Sequence, residues 1–121
     1  MSVTFWCPEA PTQKVTPYPE EDPDFVIDES VLPEINLSNS NAVRVADLLG
    51  LGDPQERWVG TCAAPELASV LARVDALLQP QAMLQACAQK GFPPEYLQRT
   101  LTRMKALFEA AQSHGFAVSW G

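Results

Sequence analysis

Histidine is nearly absent from this chain: among 121 residues only His114 is present. Zinc sites of the H-E-x-x-H kind need two histidines, as do most histidine-based metal centres, so both are excluded. The three cysteines, Cys7, Cys62 and Cys87, include no C-x-x-C spacing. An odd number without that spacing is a poor disulfide framework and a poor zinc site. The phosphate-cradling loops G-x-x-x-x-G-K-[ST] and G-x-G-x-x-G are missing, and so is the G-x-S-x-G elbow. No apolar run approaches the roughly 18 residues of a membrane span, and no basic-then-apolar leader opens the chain. These absences lead to the expectation of a cytoplasmic protein without metal, cofactor or membrane contact.

Basic residues are scarce in one region only. Residues 1–36 hold Glu9, Glu20, Glu21, Asp22, Asp24, Asp28, Glu29 and Glu34 against Lys14 alone. The remainder is balanced, so the net charge of −7 belongs to the N-terminal third. A neutral body with an acidic front argues against nucleic-acid backbone binding, which needs Lys and Arg. It suits solubility first and a basic protein partner second. Trp6, Trp58 and Trp120 are scattered and none lies in a cluster of basic residues, which argues against base stacking.

What the chain does have is proline and helical periodicity. Pro8, Pro11, Pro17, Pro19, Pro23 and Pro33 predict an extended, irregular acidic arm over residues 8–33. Before it, Val3, Phe5 and Cys7 alternate with Thr4 and Trp6, a short strand over 2–7. Within the arm, the triplet Phe25-Val26-Ile27 is expected to add a strand or to anchor the arm on the body. Ala42, Val45, Ala46 and Leu49 predict a first helix over Ser40–Leu49. A loop from Asp53 to Thr61 follows, pinned by Trp58-Val59. The stripe Leu67, Val70, Leu71, Val74, Leu77 and Leu78 predicts a second helix from Pro65 to Leu78. Residues 81–90 form a third, with Met83, Leu84, Cys87 and Ala88 inward. Leu97, Leu101, Met104, Phe108 and Ala111 mark a fourth from Pro94 to His114. Gly50, Gly91 and Gly115 are each followed by an apolar residue, the pattern of a left-handed helix stop. Phe116, Val118 and Trp120 alternate as a closing strand. The expected fold is α+β in one domain, 1–121. It has an arm (1–33) and a body (34–121) of about four helices. The terminal strands pair in a small sheet, covered by the helices or joined by a third strand from residues 25–36.

Four groups are candidates for function. Asn36, Ser38, Asn39 and Asn41 crowd the start of the first helix, where small polar side chains cap unpaired amides or line an anion or small-ligand site. One cap needs one such residue, so the rest are a surplus. Capping remains the commoner role. Glu20, Glu21, Asp22 and Asp24 offer oxygen ligands without EF-hand spacing, so they read as a solvated acidic loop or a partner surface. Trp6 and Trp120 join that surface if they are exposed; otherwise they are core aromatics. Cys62, near a helix start where thiol pKa values fall, makes a nucleophile conceivable with His114 as base. Burial of Cys62 and capping by His114 are the commoner roles.

The run Glu34-x-Asn36-x-Ser38-Asn39-x-Asn41-Ala42, followed by Leu48-Leu49 and Leu51-Gly52, resembles a motif of small uncharacterised proteins from bacteria and their phages. The closing Gly115-Phe116-x-Val118-Ser119-Trp120 is similar to the end of the same proteins. The two patches cover about a quarter of the chain. The resemblance implies no activity and no catalytic residue. Its members often have cysteine-rich arms, where this chain has only Cys7. The expectation is a non-enzymatic accessory or inhibitor/immunity-like protein acting through protein contacts. The alternative is a ligand-binding or enzymatic domain built on the Asn/Ser segment.

Overall fold

The computed structural model describes residues 1–121. In chain order the elements are β1 (Ser2–Trp6), β2 (Thr12–Val15), β3 (Ile27–Ser30), β4 (Ile35–Ser38), α1 (Asn39–Leu49), β5 (Gly60–Cys62), α2 (Leu67–Leu77), α3 (Pro80–Lys90), α4 (Pro94–His114) and β6 (Val118–Trp120). A short 3₁₀ turn, Ala64–Glu66, leads into α2. The fold is α+β, and the two ends of the chain do meet. β1 and β6 pair antiparallel at the centre of a sheet ordered β4-β1-β6-β5. Thr4 and Gly121 extend that ladder by exchanging backbone hydrogen bonds of 3.1 and 3.2 Å.

Alternation decides which side of the sheet is dry. Val3, Phe5, Ile35, Leu37, Cys62, Val118 and Trp120 are buried, while Ser2, Asn36, Ser38 and Thr61 face water. A strand places successive side chains on opposite faces, so these sets are the two sides of one sheet. The inner side packs on the helices in a single core. Helix α4 supplies Leu97, Leu101, Met104, Leu107, Phe108 and Ala111, a stripe at helical spacing. Burying each large side chain contributes about 1.5–3 kcal/mol.

The helix stops are as the sequence predicts. Gly50, Gly91 and Gly115 have φ of 67°, 74° and 71°. The amides of Leu51, Phe92 and Phe116 reach back to the carbonyls of Ala46, Cys87 and Ala111, which closes each helix in the Schellman manner.

Trp120 is the keystone of the sheet's lower end. It is 1% exposed, stacks on Phe5 with ring centres 5.8 Å apart, and donates its indole N–H to the Arg57 carbonyl at 3.0 Å. Its ring lies in a slot between two glycines. A Cβ at Gly60 would come within 2.6 Å of Trp120 Cζ2, and one at Gly52 within 3.0 Å. Gly52 and Trp120, distant in sequence, are therefore neighbours in space.

Several expectations need correction. The arm is not irregular: β2 and β3 form an antiparallel hairpin separate from the main sheet. The strand that joins the terminal pair is β4, from Ile35 to Ser38, at the far end of the expected segment. β5 is a fourth strand that begins in the last two residues of the expected loop and ends at Cys62. Trp58 and Val59 do not pin that loop, for both are about half exposed; Trp120 occupies the core slot there and Arg57 holds the loop instead. On α3, Leu84 is 62% exposed. Ala88 is exposed as well, and Ala86 takes the inward position. Of Phe25-Val26-Ile27 only Ile27 belongs to β3, and the triplet does not anchor the arm, because all three are exposed.

Candidate functional site

The Asn/Ser segment fans out rather than converging. Asn36 lies on the wet side of β4 and donates its amide to Ser2 Oγ and Thr4 Oγ1 at 3.1 and 2.8 Å, tying β4 to β1. Ser38 is the N-cap of α1, its Oγ accepting the Asn41 amide at 3.3 Å. Asn39 continues the ladder through its backbone N–H to the Met1 carbonyl. Asn41 points the other way: its side-chain amide donates to Tyr96 Oη at 2.9 Å, and its Oδ1 accepts from Arg44. Arg44 also donates to the Lys90 carbonyl and lies over the Phe92 ring, 4.4 Å from its centre. The side chains of Asn36, Ser38 and Asn41 are thus spent on three separate joints of the fold, while Asn39 takes part through its backbone.

The cysteine and histidine candidates are structural in their surroundings. Cys62 is buried, and burial with the nearby Glu66 carboxylate pushes its thiol up to about 11. That is the opposite of the activation a helix start can give, so the thiolate is disfavoured at neutral pH. Cys7 is raised too, by burial and then Glu9. His114 Nδ1 lies 2.8 Å from the Ala110 carbonyl, and its ring stacks on Phe116. It sits in the last turn of α4, as a capping histidine would. A groove of about 680 Å³ lies between the end of α1, β5 and α2, lined by Leu49, Leu51, Cys62, Glu66, Arg73 and Trp120 among others. Its volume is within the range of ligand pockets. None of the Asn/Ser candidates lines it.

Charge separates the body from the hairpin more sharply than the sequence suggests. In the body, Asp47 holds both Arg57 and Lys90, and its carboxyl is lowered chiefly by the hydrogen bond from Lys90. Lys105 pairs with Asp75 at 2.8 Å and reaches Glu109. Arg73 donates to the Leu48 carbonyl, and Arg99 lies over Tyr96. In the arm, Lys14 pairs with Asp28 across the hairpin at 2.7 Å. The one cation of the arm is spent there, and the acids of the tip have no basic neighbour within the arm.

The hairpin tip is ordered by its own residues. The Asp22 amide donates to the Tyr18 carbonyl at 2.8 Å, and Phe25 N–H donates to the Asp22 carbonyl at 3.3 Å. Tyr18 and Phe25 stack with centres 6.3 Å apart and close the base of the loop. Glu20, Glu21, Asp22 and Asp24 all lie in this exposed loop. Beside them Tyr18, Phe25, Val26, Ile27 and Val31 are 57, 46, 48, 39 and 45% exposed. Trp120 does not join this surface, since it is core; Trp6 is half-buried on β1. The sequence signal for Tyr18 and Val31 was faint, for isolated apolar residues in a proline-rich arm have no periodicity.

Comparison with family models, with curated proteins and with solved structures returned no match to this chain. No helix is long and apolar enough to cross a membrane.

Proposed function

We propose that the protein acts without catalysis, by binding another protein through the β2–β3 hairpin, as an accessory or inhibitor/immunity-type partner of a basic protein. One observation carries this reading. The hairpin leaves five large apolar side chains in water beside four acids that have no cation to pair with. Apolar side chains grouped on one element and rimmed by charge are the mark of a docking surface rather than of scattered exposure. Aromatics such as Tyr18 and Phe25 supply contact area at low entropic cost, and the acids steer a basic surface toward them.

The supporting argument is one of contrast. Most cations of the body are taken up by its own acids, carbonyls and rings, Arg103 beside the groove at Glu29 being the exception, whereas the acids of the hairpin tip have no cation partner. The ligand-site alternative gains no specific support, because Asn36, Ser38 and Asn41 already bond to Ser2, Thr4, Tyr96 and Arg44.

The test is co-purification from the protein's own host. The full chain is expected to bring down one stoichiometric, basic partner. That partner should be lost when residues 9–29 are deleted, and lost again with Tyr18→Ser plus Phe25→Ser in the intact chain. Recovery of no partner under several conditions, or equal recovery with both variants, overturns the reading.

A further inference from the structure

A two-stranded ribbon is weak by itself, and this one has two open edges. Its register shows which backbone groups those edges present. The Val31 amide donates to the Pro11 carbonyl at 3.0 Å. In an antiparallel ladder, pairs that exchange hydrogen bonds alternate with pairs that do not. The recorded pairs are Thr12 with Ser30, Gln13 with Glu29, Lys14 with Asp28 and Val15 with Ile27. Pro11–Val31 being of the bonded kind, Gln13–Glu29 and Val15–Ile27 are bonded too. The backbone groups of Asp28 and Ser30 then point away from β2, with Asp28 exposed and Ser30 half-buried beside a groove that Thr4, Asn36 and Arg103 also line. The same alternation puts Ile27, Glu29 and Val31 on one face of the ribbon.

The two edges differ in charge. The β2 edge carries Lys14, whereas the β3 edge carries Asp28 and Glu29 and leads back to the acidic tip. Native edge strands are usually blunted by lysine, proline, a bulge or a covering loop. β3 has no proline or lysine between Ile27 and Ser30 and pairs with no strand but β2.

We infer that β3 is completed by an extended segment of a basic partner, added as a third strand. This rests on the reading of the hairpin as the docking element and names how docking occurs. The occupant is a strand that alternates cationic and aliphatic side chains. Its backbone bonds to the amides and carbonyls of Asp28 and Ser30. Its aliphatic residues lie on the face of Ile27 and Val31, and its cations lie on the opposite face, where they share Asp28 with Lys14 and reach toward the acidic tip. Strand addition draws affinity from main-chain bonds and specificity from alternate side chains. Oppositely charged cross-strand pairs add to both. A second copy of this chain is a poor occupant, because two acidic ribbons repel.

The experiment uses the full chain, isotope-labelled, with a synthetic capped peptide of alternating arginine and valine as probe. Amide hydrogen exchange at Asp28 and Ser30 is fast in the free protein and slows about tenfold or more at saturating peptide. Binding weakens about tenfold from low to high salt, as screening requires. The same peptide with glutamate in place of arginine leaves the exchange unchanged. Ser30→Pro, which removes an outward amide and leaves the ladder to β2 intact, abolishes the effect. Unchanged exchange at Asp28 and Ser30 with the arginine peptide overturns the inference, whatever becomes of Ser30→Pro. So does protection that appears at β4 or β5 instead, or equal protection by the glutamate peptide. If a host partner is captured through Tyr18 and Phe25 while the β3 amides stay unprotected by the peptide, the docking role stands and strand addition falls.

Discussion

Replacing Gly60 with alanine tests the slot that closes the sheet on its C-terminal strand. The added Cβ would lie 2.6 Å from Trp120 Cζ2, 3.0 Å from Cη2 and 3.1 Å from Cε2. The ring has nowhere to go. Its indole N–H is held by the Arg57 carbonyl, one face lies on Phe5, and the backbone of Gly52 is close by. Overpacking of this kind costs about 1–3 kcal/mol, and the upper half of that range applies where a buried indole must move. Alanine also stiffens the unfolded chain, which returns about 0.4–1 kcal/mol. The expected net loss is about 2 kcal/mol, or roughly 8 °C in Tm for a chain of this size. Denaturant melts give the free energy directly. Gly121→Ala is the control, since its Cβ meets Val59 Cγ2 at an ordinary 3.6 Å. The clash also predicts coupling: in a Trp120→Phe background the missing ring atoms leave room, and Gly60→Ala should cost about 1 kcal/mol less. A Gly60→Ala protein as stable as the parent, or a cost unchanged in that background, would refute the reasoning.

Three further outcomes follow from other joints. Asp47 has its pKa lowered, with Lys90 as the main cause and Arg57 contributing. Its stabilisation is therefore present above the unfolded carboxyl pKa and fades as pH falls through the lower folded value. Asp47→Asn should melt below the parent at pH 7 and match it in acid; a gap that persists in acid argues against the pairing. Cys62 is raised from 9.0 to about 11, so native protein should resist iodoacetamide at pH 8 while denaturant-unfolded protein reacts at all three thiols. Stability should decline only above pH 9, as the unfolded thiol ionises first. Asn41 and Tyr96 join α1 to α4, and a double-mutant cycle of Asn41→Ala with Tyr96→Phe should give a coupling of about 1 kcal/mol. Independent losses would mean that the 2.9 Å bond contributes nothing.

Long periodic segments were the legible part of the fold. Helix α4 runs from Pro94 to His114 as expected, because its stripe repeats over about four turns and both ends carry boundary chemistry. The terminal strands β1 and β6 were legible from their alternation, but β4 and β5 were not, because two or three residues without an alternating neighbourhood carry no periodicity. β4 offers only Ile35 and Leu37, inside a run that reads as caps, and β5 is Gly60-Thr61-Cys62. The hairpin hid behind its prolines, all of which fall outside β2 and β3. Composition pointed to the acidic arm as a partner surface. Only the structure showed that Phe25, Val26 and Ile27 stay off the body and that Lys14 is spent on Asp28. For the tryptophans, sequence could not say which indole fills the core: Trp120 does, because Gly52 and Gly60 leave room for it.

The central claim is that the hairpin tip is where this protein meets its partner. A photo-crosslinking residue placed at Phe25 in the full chain, expressed in its own host, tests it most directly. An identical probe at Glu95, exposed at the start of α4, serves as the reference. One covalent adduct with a single basic protein at position 25, and none at 95, is the predicted result. No adduct at 25, or the same set of adducts at both positions, would contradict it.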